Sequence, residues 1–147
     1  MQIPSLRKIC LWFVLLLVLV QLVPYGRGHK NPPLVKEPAW DTMETRELVK
    51  RACFDCHSNE TEWPWYSWVA PVSWLVQRDV DNGRAILNFS DWQIGKRQGE
   101  NPAKLRAVIL EGRMPHLRHR LVESESRLSE AEREQLLRGL MTTTGGR

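Results

Sequence analysis

Cysteine is scarce in this chain. Three residues in 147 are too few and too unevenly placed for a disulfide framework. Cys10 lies in an apolar N-terminal run and reads as an inert thiol. It opens that run rather than closing it, so it is misplaced for a lipoprotein cysteine. Cys53 and Cys56 remain as one local pair. Charge of a single sign is also short. Lys and Arg number 21 against 17 Asp and Glu, a net charge of +4, and no run of five like charges occurs. No nucleic-acid partner is expected. Persistent two-residue alternation is missing, as is any internal repeat, so the part beyond the N-terminus is expected to be all-α.

One long hydrophobic run is present. Arg7 and Lys8 precede an apolar stretch over residues 9–23, interrupted only by Gln21. This has the charged start and apolar body of an export signal. A membrane span needs roughly 17–25 residues, a length the stretch reaches only when Pro24 and Tyr25 are counted. Gly26-Arg27-Gly28 makes a poor cleavage site, so residues 1–25 are expected to form an uncleaved signal anchor, a transmembrane helix. Residues 26–40, with Pro32, Pro33 and Pro38, read as an extended tether. Residues 41–141 read as the folded domain and 142–147 as a fraying tail.

Within the domain, Asp41 with Glu44 forms a capping box. The helix it opens is expected to run to about Cys53, with Leu48, Val49 and Ala52 inward. Pro64 and Pro71 punctuate a loop. A helix from Val72 through Leu75, Val76 and Val80 is expected to end near Gly83, and Ser90 to cap a short turn. Asn101-Pro102 opens a helix carrying Leu105, Val108 and Ile109, which Gly112 ends. Ser129 and Glu132 form a second capping box before Leu136, Leu137 and Leu140.

Cys53-Phe54-Asp55-Cys56-His57 is C-x-x-C-H, the pattern of c-type haem attachment. Two thiols so spaced can each add to one vinyl group of a porphyrin, and the next residue then offers an imidazole to the iron. Cys53 and Cys56 are therefore expected to hold one haem c covalently, with His57 as proximal ligand. A zinc site would need two further ligands, for which His116 and His119 are candidates. A thioredoxin-like pair would need a βαβ setting, and none is visible. Haem attachment requires export, which sets the domain on the outer face of the cytoplasmic membrane, the periplasmic side.

The second axial ligand must come from far along the chain. Met114, between Gly112 and Pro115, sits on an expected loop after a helix and is the choice, giving a His–Met pair. His116 and His119 are its rivals. Tryptophan is abundant, seven in all. Trp63, Trp65, Trp68 and Trp74, with Tyr66, follow the motif closely. They are candidates for walling the haem, and one of them or Arg84 for bonding a propionate. Ordinary packing is the plainer reading of each ring.

The stretch Cys53-Phe54-Asp55-Cys56-His57-Ser58-Asn59-Glu60-Thr61, followed by Trp63-Pro64-Trp65-Tyr66-Ser67, resembles the small membrane-anchored haem-binding domain proteins of bacteria, relatives of cytochrome c. Ala70-Pro71-Val72-Ser73-Trp74-Leu75, Leu87-Asn88-Phe89-Ser90-Asp91-Trp92, Met114-Pro115 and Leu128-Ser129 continue the likeness. The resemblance implies a cytochrome-c-like helical fold and a covalently bound haem. The chain departs from the family pattern at His116 and His119, and at Glu123-Ser124, where a His-Pro pair is common. The expectation is thus a non-enzymatic one-electron carrier at a membrane, serving a redox protein partner and no small-molecule substrate. The alternative is a haem sensor or peroxidase-like enzyme, for which the His- and Arg-rich residues 113–120 would do acid–base work.

Overall fold

Thr42, not Asp41, caps the helix that carries the cysteine pair. In the computed structural model, which describes residues 5–93 and 96–145, the Thr42 hydroxyl accepts from the Thr45 amide at 3.1 Å. Asp41 instead meets Thr143 near the chain's end. The described residues form six α-helices: α1 (Leu6–Val20), α2 (Met43–His57), α3 (Val72–Ile86), α4 (Pro102–Leu110), α5 (Leu117–Val122) and α6 (Glu130–Gly145). The protein is all-helical: among the described residues the one β feature is an isolated parallel bridge between Lys36 and Asp91.

Two helices outrun their expected ends. α2 continues through the whole C-x-x-C-H segment because Phe54 is a core residue and Ser58 Oγ donates to the Phe54 carbonyl at 2.8 Å, satisfying a terminal acceptor. α3 passes Gly83 by three residues. The expected boundaries at Asn101 and Ser129 hold. Asn101 Oδ1 accepts from the Ala103 and Lys104 amides. Ser129 and Glu132 exchange reciprocal bonds. α5, short and rich in cations, had no apolar stripe to announce it. The expected tail is helical to Gly145; residues 146 and 147 lie outside the described part, as do residues 1–4 of the expected anchor.

The chain divides into two compact units, residues 1–30 with 63–79 and residues 31–62 with 80–147. In the second unit α6 packs on α2 and α4. Leu48, Val49, Phe54, Leu87, Phe89, Trp92, Leu105, Ile109, Leu136 and Leu140 form its core. The rings of Phe54, Phe89 and Trp92 follow one another at 5.9 and 5.8 Å between centroids. The later part of the expected tether belongs to this unit. The Val35 and Lys36 amides donate to the Ser90 carbonyl, and the Trp92 amide to the Lys36 carbonyl. Glu37 takes a two-point bond from Arg46, and Trp40 packs on Phe89. Ser90 is accordingly a loop clasp, bonding to residues 35, 36 and 59, where the cap of a short turn was expected.

In the first unit α1 has no buried residue. At a rise of about 1.5 Å per residue it is roughly 22 Å long, against a hydrocarbon core of about 30 Å. Among the described residues no helix is long and apolar enough to cross a membrane. The expected transmembrane anchor therefore lacks support in the fold.

Candidate haem-attachment site

Helical spacing puts Cys53 and Cys56 three residues apart on the final stretch of α2, so both thiols share one side of it. Neither is in a disulfide, and both are partly exposed. Enough protein surrounds the Cys53 thiol that burial, with the nearby Cys56 and Asp55 adding to it, pushes its pKa up to about 12. It is a neutral thiol at physiological pH.

His57 is fixed from behind. Its Nδ1 lies 2.9 Å from the Gly83 carbonyl oxygen and 3.2 Å from that of Leu87. Carbonyls only accept, so Nδ1 carries the proton and donates, and the Nε2 lone pair is left for a metal. Burial lowers the pKa of His57, against the opposing pull of those two carbonyls. The ring is thereby held neutral, the form in which imidazole ligates iron. The close approach depends on Gly83. A Cβ there would fall 2.2 Å from the Cys56 carbonyl oxygen and 3.1 Å from the Cys56 Cβ.

The loop after His57 is bonded along its length. The Phe89 amide donates to the His57 carbonyl. The Asn59 amide donates to Ser90 Oγ, and Asn88 Nδ2 to Asn59 Oδ1. Arg84, a candidate for a haem propionate, is committed to protein instead. Its Nε donates to the Ser58 carbonyl at 2.7 Å, and Nη2 to Asn31 Oδ1 and Thr61 Oγ1, each at 2.9 Å. Of the aromatic candidates, Trp65 and Trp68 are 78% and 55% exposed, and Trp63 stacks on His29.

Met114 sits after α4, its amide bonded to the Val108 carbonyl, with 38% of its surface exposed. It lines a cavity of about 410 Å³ with Ile109, Leu117, Arg120, Leu121 and Leu136, among others. The walls of that cavity are α4, α5, α6 and their connections; Cys53, Cys56 and His57 form a separate group. The rival histidines have other partners. His116 caps α5, its Nδ1 accepting from the Arg118 amide at 3.3 Å. His119 Nε2 faces Asp55 Oδ2 at 3.6 Å. Asp55 lies between the two cysteines, and burial raises its pKa, partly opposed by the Glu62 amide and by His119. Among the described residues no three His, Cys, Asp or Glu converge to hold a metal ion, which counts against the zinc arrangement.

Sequence reasoning pointed to the two thiols and the imidazole as the candidate site. It missed the Gly83 and Leu87 carbonyls, the Arg84 brace and the Asp55–His119 contact, which depend on long-range packing. The residues present fit a covalently held haem: two thiols outside any disulfide on one helical turn, beside an imidazole whose Nε2 is unprotonated. A model of the haem-binding domain family matches residues 15–142. No curated protein and no solved structure matches the chain.

Proposed function

The chain belongs to the haem-binding domain family, and from that premise we propose that it is a cytochrome-c-like carrier of single electrons. In this reading Cys53 and Cys56 hold one haem c by thioether bonds, His57 is the proximal ligand, and Met114 is the distal one. The observation that carries it is the His57 ring, with its proton pinned on Nδ1 by two carbonyls beside the Cys53 and Cys56 thiols, neither of them in a disulfide. When bound, the haem supplies a ferric–ferrous couple. The chain's own work is positional. Gly83 lets α3 close on α2, the Gly83 and Leu87 carbonyls orient the imidazole and raise its basicity, and Arg84 braces the following loop. Met114 is favoured over His116 and His119 because both histidines have partners in the protein.

The proposal extends to location. Covalent attachment calls for export, which the charged start and apolar helix α1 fit. The domain then faces the periplasmic side, held at the membrane through α1, and exchanges electrons with a redox protein partner. A second reading, a haem sensor or peroxidase-like enzyme, draws on one feature. Arg120, on the cavity that Met114 lines, has a buried Nε without a partner, a donor that a small ligand can use.

Expression in a host that matures c-type haem tests the proposal. The expected results are a haem-staining band on a denaturing gel and a one-electron titration. Met114→Ala should shift both the optical spectrum and the potential. Two unmodified thiols in exported protein would end the covalent reading. Fast carbon monoxide binding to the reduced wild-type protein would favour the sensor or enzyme reading over a fixed distal Met114.

A further inference from the structure

Residues 63–77 carry no charged side chain and contain four of the seven tryptophans. In a loop of a water-soluble domain such a stretch turns inward. Here Trp65, Trp68 and Val69 are 78%, 55% and 45% exposed, and Val72 and Leu75 at the start of α3 are exposed as well. Trp65 and Trp68 are one turn apart on a 3-10 turn, and Val72 and Leu75 one turn apart on α3, so the exposed apolar residues are clustered along the chain and not scattered singly.

This surface is joined to the end of α1. The Gln21 side chain grips the backbone of Ala70 at both ends: Nε2 donates to the Ala70 carbonyl at 2.8 Å, and Oε1 accepts from the Ala70 amide at 3.0 Å. Arg27 Nη2 donates to the same Gln21 oxygen, and Ser73 Oγ to the Tyr25 carbonyl. Further along, His29 stacks on Trp63, meets Trp68 edge-on, and donates from Nε2 to the Ser67 carbonyl at 3.1 Å. The aromatic loop is therefore fixed beside the point where the apolar helix ends and Leu22, Val23 and Tyr25 continue its exposed apolar surface.

We propose that residues 63–69 form a bilayer-interface surface, with the Trp65 and Trp68 indoles among lipid headgroups at the exported end of α1. The inference rests on the proposed membrane attachment and adds a second contact to it. Lipid is the occupant for three reasons. From Ile9 onward α1 is apolar on every side, and a protein partner covers one face of a helix whereas lipid covers all of them. The loop lacks the charges that mark a polar interface rim. Indole and phenol rings prefer the depth at which one end is apolar and the other wet. A helix of 15 residues is short for a bilayer, and an interfacial loop at its end supplies contact that the helix alone lacks.

The test uses the full haem-loaded chain in vesicles of phosphatidylcholine and phosphatidylglycerol. One set contains phosphatidylcholine with a photoactivated diazirine on the headgroup, the other with the diazirine at the acyl terminus. Cross-linked peptides are mapped by mass spectrometry. The expected result is headgroup label on residues 63–69 and acyl label on α1. Replacing Trp65→Ser and Trp68→Ser together should abolish the headgroup label at the loop while leaving the haem spectrum unchanged. Acyl label on α1 with none on residues 63–69 overturns this inference and leaves membrane attachment standing. No label on either overturns both. Cross-linking of residues 63–69 to a second copy or another protein, without lipid label, makes the surface a protein interface and also overturns the inference.

Discussion

Gly83→Ala opposes two effects of similar size, and the structure decides between them. In an ordinary helix the change stabilises by about 0.4–1 kcal/mol, because the unfolded chain loses freedom. In α3 the new Cβ would stand 2.2 Å from the Cys56 carbonyl oxygen and 2.9 Å from its carbon. A carbon and a carbonyl oxygen approach to about 3.3 Å without repulsion, so the helices must part by roughly 1 Å. The contact atoms are backbone, which has no rotamer to yield. Overpacking of this kind costs about 1–3 kcal/mol. The same displacement carries the Gly83 oxygen from 2.9 Å to beyond hydrogen-bonding reach of His57 Nδ1, a further loss of about 1 kcal/mol. Net destabilisation of about 1–3 kcal/mol is expected once the helical gain is subtracted. Urea unfolding of the haem-loaded protein measures it, and a redox titration gives an independent signature. With one carbonyl lost, the imidazole is a weaker donor to iron and the potential should rise. A variant more stable than wild type, with its potential unmoved, would refute the proposed coupling of α3 to the ligand.

Two further outcomes follow from paired charge. Arg46 bonds to Glu37 at 2.6 and 2.8 Å and, chiefly through that bond, holds the Glu37 pKa below its ordinary value. The stabilisation is complete above the unfolded carboxylate value of about 4.3 and is lost as pH falls through the lower folded value. Glu37→Gln should therefore be less stable than wild type by about 2 kcal/mol at neutral pH, with the gap closing only under acid in pH-dependent denaturant melts. Glu100 is 1% exposed and its carboxylate faces Arg97 at 3.2 Å. Arg97→Ala leaves that carboxylate without its cation and should cost about 3 kcal/mol, partly recovered by adding Glu100→Gln; equal urea midpoints for the single and double variants would show that Glu100 does not need the cation.

The legible parts of this protein were those written in local chemistry. The Asn101-Pro102 start and the Ser129–Glu132 box needed only a side chain and an amide two or three residues away, and both formed as expected. The cysteine pair and His57 are picked out by spacing in the same local way, and α2 runs through all three. Gly83 shows where local reading ends. Glycine near the end of an apolar pattern suits a helix stop, yet Arg84, Ala85 and Ile86 contain nothing to break a helix, and the residue's use lies across the fold, against Cys56. The tether misled in the opposite direction. Three prolines argue against secondary structure, but they do not forbid packing, and Lys36, Glu37 and Trp40 find partners in Ser90, Trp92, Arg46 and Phe89. Arg84 unites both lessons. By sequence it is a cation near the C-x-x-C-H motif and a candidate for a propionate, whereas its bonds to Ser58, Thr61 and Asn31 brace the loop that follows His57. A single imidazole at the end of a helix needs its rigidity from elsewhere, and His57 receives it from α3 and the residue that follows: the Gly83 and Leu87 carbonyls, the close approach at Gly83 and the Arg84 guanidinium.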